Sequence, residues 1–470
     1  MKGSLDSTDL RSLGLESANF QLPQAQEWVA PNGIKVLFIS DHELPFVQGA
    51  LMVPGGSIWE EQAELGVGAI TGSLMRRGGA GSFTAEALDL ELEKLGAQVS
   101  TSFGADVGTF GFSSLKSDLT AVTSIYRDVL YTPRFEEEKL NLLKLQTLEG
   151  IRRRKDDGDT IASLTFQRLA YGDTPYGKIL TSKGASSITR EQIQAFHKRW
   201  VISNLSRGIF VISGALNRKE AEDKIVNVLF PTNSEASSVT LPDITPPEFN
   251  REIKPEIYFI EAPFAQATVI LGELGVPRYS PDHFSIKVFN RIFGMGFGTS
   301  RLYRRIRSDL GLAYSVYGGI TPGFPVGVNS VQLQTKAESA GVAIKESLSV
   351  LNELREKEVD SLELENVKRG TINSFIFANE SAENTLARQA LFRLYGFPLN
   401  YDEVYRDEVK KVTGADLINV AKKRWHPEKL SVVVVGTKAA YDAILAIQSE
   451  LPASLQGKVK VVTFDETVHF

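Results

Sequence analysis

The segment ITREQIQAFHKRWVISNLSRGIFVISGAL (residues 188–216) decides the fold, because the chain states it a second time as VTGADLINVAKKRWHPEKLSVVVVGTKAA (412–440). Each copy opens on an aliphatic residue and a threonine, Thr189 or Thr413, suited to cap a helix. An amphipathic helix follows and ends in Lys-Arg-Trp, at Trp200 or Trp425. A short turn with Asn or Pro then leads into a β-branched strand that stops at Gly214 or Gly436.

A second pair lies upstream in each half. GAQVSTSFGADVGTFGFSSLKSDLTAVTSIYRDVL (96–130) parallels GLAYSVYGGITPGFPVGVNSVQLQTKAESAGVAIKESLSVLNEL (311–354). Both read as Gly, strand, Gly-containing turn, strand and helix. The two pairs are offset by about 224 and a little over 210 residues, so one unit of roughly 220 residues occurs twice.

These units predict an α+β protein. It has two tandem homologous domains, each a mainly antiparallel sheet with helices packed on one face, forming a two-lobed clamp. Residues 1–24 read as a polar leader, 25–232 as the first domain and 250–470 as the second. Residues 233–249, within a stretch rich in Pro, Ser and Thr, read as an extended linker.

Bulk composition narrows the function classes. A chain of 470 residues is too long for one core, and 42% hydrophobic with 23% charged residues is ordinary for a globular protein. A net charge of −5 gives no basic field for nucleic acid or a membrane surface. The apolar run LSVVVVG (430–436) is far short of a membrane span. The absence of cysteine excludes disulfides, thiolate metal sites and cysteine nucleophiles. The leader lacks the apolar region of a signal peptide. If Met1–Ser4 stands in place of such a peptide, the native compartment is periplasmic or extracellular.

Candidate chemistry is sparse. Of the five histidines (His42, His197, His283, His426, His469), no two lie at i, i+4 spacing, so they read as surface or turn residues and not as a zinc site. No Gly-x-Ser-x-Gly elbow is present. The loop FGMGFGTSR (293–301) lacks the spacing and lysine of a phosphate cradle, and reads as a flexible connection into a helix. That helix carries Arg301, Arg304, Arg305 and Arg307, then Gly311 and a strand with Tyr314. A turn at Gly311 would let Arg307 and Tyr314 point into one cleft, where a guanidinium and a phenol can donate to a carbonyl or developing oxyanion.

GVGAITGSLMRRGG (66–79) completes the inventory. Val67, Ile70 and Leu74 form one apolar side, but the other side presents Ala69, Gly72 and Ser73, none of which binds metal or holds a proton near neutral pH.

Together these stretches, with NGIKVLFISDHELPFVQGALMVPGGSIWEE (32–61) and SRLYRRIRSDLGLAYSV (300–316), resemble the pitrilysin/insulinase family of zinc peptidases (M16), especially bacterial members built from two short subunits. The resemblance spans about residues 28–440. Active members carry His-x-x-Glu-His where this chain has Ala69, Gly72 and Ser73, and a third zinc ligand, a glutamate, where it has Gly150. Glu149 is one position off, about 100° around the helix. The family's Arg and Tyr, seven residues apart, match Arg307 and Tyr314.

The resemblance therefore implies the non-metal subunit of a heterodimeric metallopeptidase. Arg307 and Tyr314 would bind a peptide substrate and stabilise its transition state, while a homologous partner bearing His-x-x-Glu-His holds the zinc and this chain needs no cofactor. The alternative is a non-catalytic assembly protein of the same fold, with Arg307 and Tyr314 as relics or packing residues. An adjacent gene encoding a His-x-x-Glu-His chain would separate the two.

Overall fold

A computed structural model describes residues 23–231, 241–249 and 252–465. Most of the leader and part of the linker lie outside the described residues. The described residues form two six-stranded sheets. The first contains β1 (Gln26–Val29), β2 (Lys35–Ser40), β3 (Phe46–Pro54), β4 (Gln98–Phe103), β5 (Val107–Leu115) and β6 (Ile209–Gly214), in the order β1-β2-β6-β3-β5-β4. The second contains β7 (Ile257–Glu261), β8 (Gln266–Leu274), β9 (Ala313–Thr321), β10 (Val328–Lys336), β11 (Ser431–Gly436) and β12 (Val459–Val462), in the order β12-β7-β11-β8-β10-β9.

Five strands of each sheet correspond one to one. β2 runs parallel to β6 as β7 does to β11, and every other pairing among the five is antiparallel in both sheets. The sixth strand differs. β1 pairs antiparallel with β2 from the beginning of its half, whereas β12 pairs parallel with β7 from the end of its half.

The duplicated segments account for this likeness. Thr189 and Thr413 each close a capping box, with Gln192 and Asp416 as reciprocal partners. Trp200 and Trp425 are both buried, one in each main core. β6 and β11 sit third in their sheets and are covered on both faces, which is why their sequences run apolar without alternation.

Along β11, Val432 and Val434 face the second half's own helices. Val433 and Val435 instead meet Ile161, Phe166 and Leu169 of the helix Gly158–Tyr171, which comes from the first half. The exchange is reciprocal: Ala382, Leu386 and Ala390 of the helix Ala382–Leu394, from the second half, cover Leu37, Met52, Ile209 and Val211 on the first sheet. Each half thus packs its own helices on one sheet face and lends one helix to the other lobe. Sequence periodicity marks these helices as amphipathic but carries no sign of which sheet they cover.

The described part of the linker is extended and pinned to the first half. Arg207 donates to the Pro242 carbonyl, Trp59 Nε1 to Thr245 at 3.1 Å, and the Tyr176 hydroxyl to Pro247 at 3.4 Å. Arg278 of the second half pairs with Asp106 in the β4–β5 turn of the first, and also lies over the Tyr395 ring at 3.5 Å. The lobes are held together at several separate places.

Candidate functional site

The helix Val67–Arg77 is built to stay in place. Val67, Ile70 and Leu74 are buried in the first core, as their spacing predicts. Gly66 caps the helix with φ +94°, a conformation open to glycine. Both carboxylate oxygens of buried Glu60 accept from the helix N-terminus, one from Gly66 N–H at 2.7 Å and one from Gly68 N–H at 2.6 Å. Burial raises the Glu60 pKa, and the two amide donors oppose that shift.

The other side of this helix holds no metal chemistry. Ala69 is exposed, Ser73 half-buried and Gly72 buried. A Cβ at Gly72 would stand 2.6 Å from the Phe103 backbone nitrogen and 2.8 Å from the Ser102 carbonyl carbon, so the helix rests directly on β4. Thr101 on that strand donates to the Gly72 carbonyl at 2.5 Å. Gly150 lies on the helix Glu137–Arg153, which contacts Val67–Arg77, and its Cβ position is open.

Glu149 is engaged elsewhere. It accepts from Arg152 at 2.8 Å and from Arg153 at 2.6 Å, and these two hydrogen bonds hold its pKa down to about 2. Among the described residues no group of three or more His, Cys, Asp and Glu could hold a metal ion. The donor set at these four positions does not fit zinc.

The histidines depart in part from the surface reading. His42 is not buried, and His426 is half-buried with its Nδ1 3.0 Å from Glu273. His197 and His283 are instead core residues, with Nε2 2.8 Å from the Leu130 carbonyl and from the Tyr401 hydroxyl, respectively. Burial lowers both pKa values, that of His283 to about 3. Their sequence surroundings are polar on one side (Lys198, Asp282), which disguised apolar helix faces. His469 lies outside the described residues.

The second half brings Arg307 and Tyr314 together. The chain winds as a π-helix over Tyr303–Asp309, then turns at Gly311 with φ +60° as its sequence position predicts, and enters β9. The guanidinium carbon of Arg307 lies 5.1 Å from the Tyr314 ring centroid.

Tyr314 owes its position to a β-bulge. β9 pairs Ser315 with Gln334 but Ala313 with Thr335, leaving Tyr314 as the extra residue. Simple alternation would put Tyr314 on the core side with Val316 and Ile320. The bulge gives that place to Ala313, and Tyr314 stands 72% exposed on the edge strand.

The four arginines of this segment divide sharply. Arg301 and Arg304 both pair with Glu363, at 2.8 and 2.9 Å, and Arg305 pairs with Glu346 at 2.8 Å. These pairs fasten the π-helix to the helices Ser361–Phe377 and Ala340–Glu356. Arg307 has no ion pair among the described residues. It lies instead over Tyr314 and over Tyr303, the latter at 4.9 Å. Sequence reading missed Tyr303, although its place four residues before Arg307 on the same helix was the available signal. Of the Gly-rich stretch, Phe293–Met295 close a π-helix (Arg291–Met295) packed on β9, where a Cβ at Gly294 would stand 2.4 Å from the Gly318 carbonyl oxygen, and only residues 296–300 form the turn that follows.

Comparison with known proteins gives a consistent picture. Residues 35–183 match the insulinase (peptidase family M16) model and residues 187–371 the "Peptidase M16 inactive domain" model. Over 414 residues the chain is 24% identical to "Non-peptidase homolog YmxG" of Helicobacter pylori, covering 86% of this chain and 92% of the relative. An "Uncharacterized zinc protease" of Rickettsia felis is also 24% identical, over 86% of this chain and 95% of that protein. The structure of a peptidase M16 inactive domain from Pseudomonas fluorescens superposes with a TM-score of 0.79 at 26% identity, covering 88% of this chain and 98% of that one.

Proposed function

This chain belongs to peptidase family M16 as an inactive member, and we propose that it is the non-metal subunit of a heterodimeric zinc metallopeptidase. The observation that carries this reading is the contrast between its two halves. Where the zinc ligands would stand it has Ala69, Ser73 and Gly150, and where the water-activating glutamate would stand it has Gly72, with β4 filling the space beside it. In the other half Arg307 is left out of the ion pairs that engage its three neighbours and lies over an exposed Tyr314. Unselected drift has no reason to erase one half and keep the other.

In this reading the guanidinium edge of Arg307 and the hydroxyl of Tyr314 donate hydrogen bonds to a peptide carbonyl. They orient the peptide in the ground state and stabilise charge as it develops on the carbonyl oxygen. Zinc is held by a homologous partner bearing His-x-x-Glu-His, and this chain binds none. The second reading is a non-catalytic assembly protein, favoured by the likeness to a relative named as a non-peptidase homologue. Co-purification from the source organism, with metal analysis and peptide cleavage on the isolated complex, tests the choice. A zinc-bearing M16 partner and peptidase activity are expected; the chain alone, or in an assembly without activity, would support the second reading.

A further inference from the structure

We infer that Tyr303 is a positioning residue for Arg307, its ring fixing the plane in which the guanidinium presents its donors. The inference rests on the catalytic reading of Arg307 for its consequence, but its geometry stands apart from that reading.

An arginine without a carboxylate partner rotates about several side-chain bonds, and a donor that rotates gives little directed stabilisation. Arg301, Arg304 and Arg305 are each fixed by a carboxylate. Arg307 has the Tyr303 ring at 4.9 Å and the Tyr314 ring at 5.1 Å, both within cation–π reach. Stacking uses the guanidinium face and leaves its N–H edges for a peptide, so positioning and binding do not compete. A carboxylate would hold Arg307 equally well but would occupy those edges.

Tyr303 is suited to this task by its surroundings. It begins the π-helix and is half-buried. Its own ring is backed by Phe297 at 5.8 Å. Tyr314, on the exposed edge strand, offers both a ring to the arginine and a hydroxyl to the peptide. Tyr303 contributes only its ring, so the two tyrosines differ in what they can lose. Removing the hydroxyl should be harmful at Tyr314 and mild at Tyr303.

The test has two readouts. In the isolated chain, nitrogen-15 NMR of arginine side chains, with the Arg307 signal assigned through Arg307→Lys, measures rotation about its Nε–Cζ bond. Rotation should be slow in the wild type, clearly faster in Tyr303→Leu, and near the wild-type rate in Tyr303→Phe, with thermal unfolding confirming the fold of each. In the complex with its zinc-bearing partner, Tyr303→Leu should lower kcat by about tenfold to a hundredfold with little change in KM, since misplacement of a catalytic donor costs on that order. Tyr303→Phe should recover most of the loss. Equal rotation rates in wild type and Tyr303→Leu would overturn the inference. So would unchanged turnover in Tyr303→Leu where Arg307→Ala is inactive. If Arg307→Ala itself retains full turnover, the catalytic reading fails, and the rotation rates alone decide the positioning role.

Discussion

Gly72 and Gly150 occupy two of the erased metal positions, and the same substitution should move stability in opposite directions at the two. Both lie within helices, where alanine is intrinsically favoured over glycine by about 0.8–1.0 kcal/mol. At Gly150 nothing lies within 4 Å of a new Cβ, so Gly150→Ala should gain most of that amount. At Gly72 the new Cβ meets Phe103 N at 2.6 Å, Ser102 C at 2.8 Å and Ser102 Cα at 2.9 Å. All three are backbone atoms of β4, so no rotamer change relieves the clash. The helix must lift off the strand, straining the Thr101–Gly72 hydrogen bond. Overpacking of this kind costs about 1–3 kcal/mol and outweighs the helical gain. Urea unfolding of the purified chain, monitored by circular dichroism, should show Gly72→Ala with a lower midpoint and Gly150→Ala with a higher one, at similar slopes. A Gly72→Ala variant as stable as the wild type would refute the close-contact argument. It would also reopen the possibility of placing a glutamate there without moving β4.

Other expectations follow from the same geometry. His283 is buried with its pKa lowered to about 3, so the unfolded chain binds its proton first and stability is lost as pH falls below about 6.5. The slope is about 1.4 kcal/mol per pH unit until the folded pKa is reached, roughly 2 kcal/mol by pH 5, and His197 adds in the same direction. His283→Gln should flatten the acid limb of a stability-versus-pH curve; an unchanged limb would contradict the assignment. Elemental analysis of the isolated chain should find no stoichiometric zinc, and one tightly held equivalent would contradict the donor inventory. Arg304→Ala and Arg305→Ala each remove an ion pair whose arginine is exposed and should leave the thermal midpoint close to that of the wild type; a large drop would show that these pairs carry the π-helix.

Much of the fold was legible because it was written twice. The Thr…Lys-Arg-Trp…strand unit marked the repeat, and the repeated pattern of burial gives the same five-strand order in both sheets. The exchange of helices between lobes was not legible, since an amphipathic stripe such as Ile161, Phe166 and Leu169 shows that a helix has a buried face but not what buries it. The histidines misled for a related reason: one polar neighbour in sequence says little about a helix face, and His197 and His283 both point into aromatic surroundings. At the candidate site, the spacing from Arg307 to Tyr314 and the turn at Gly311 could be read directly. The bulge that brings Tyr314 out of the core could not, because it depends on the register of β9 against β10.

The central claim is that Arg307 and Tyr314 serve a reaction whose metal lies on another chain. The most direct measurement is kcat for peptide cleavage by the complex with its zinc-bearing partner, compared among wild type, Arg307→Ala and Tyr314→Phe, with assembly verified by sizing. Removing one donor aimed at developing charge should lower kcat by about 10²–10³, roughly 2.7–4 kcal/mol, with the complex intact. Arg307→Lys should recover little, because an ammonium does not reproduce the planar fork. Wild-type turnover in both the Arg307→Ala and Tyr314→Phe complexes would contradict the claim and leave this chain as a structural member of its family.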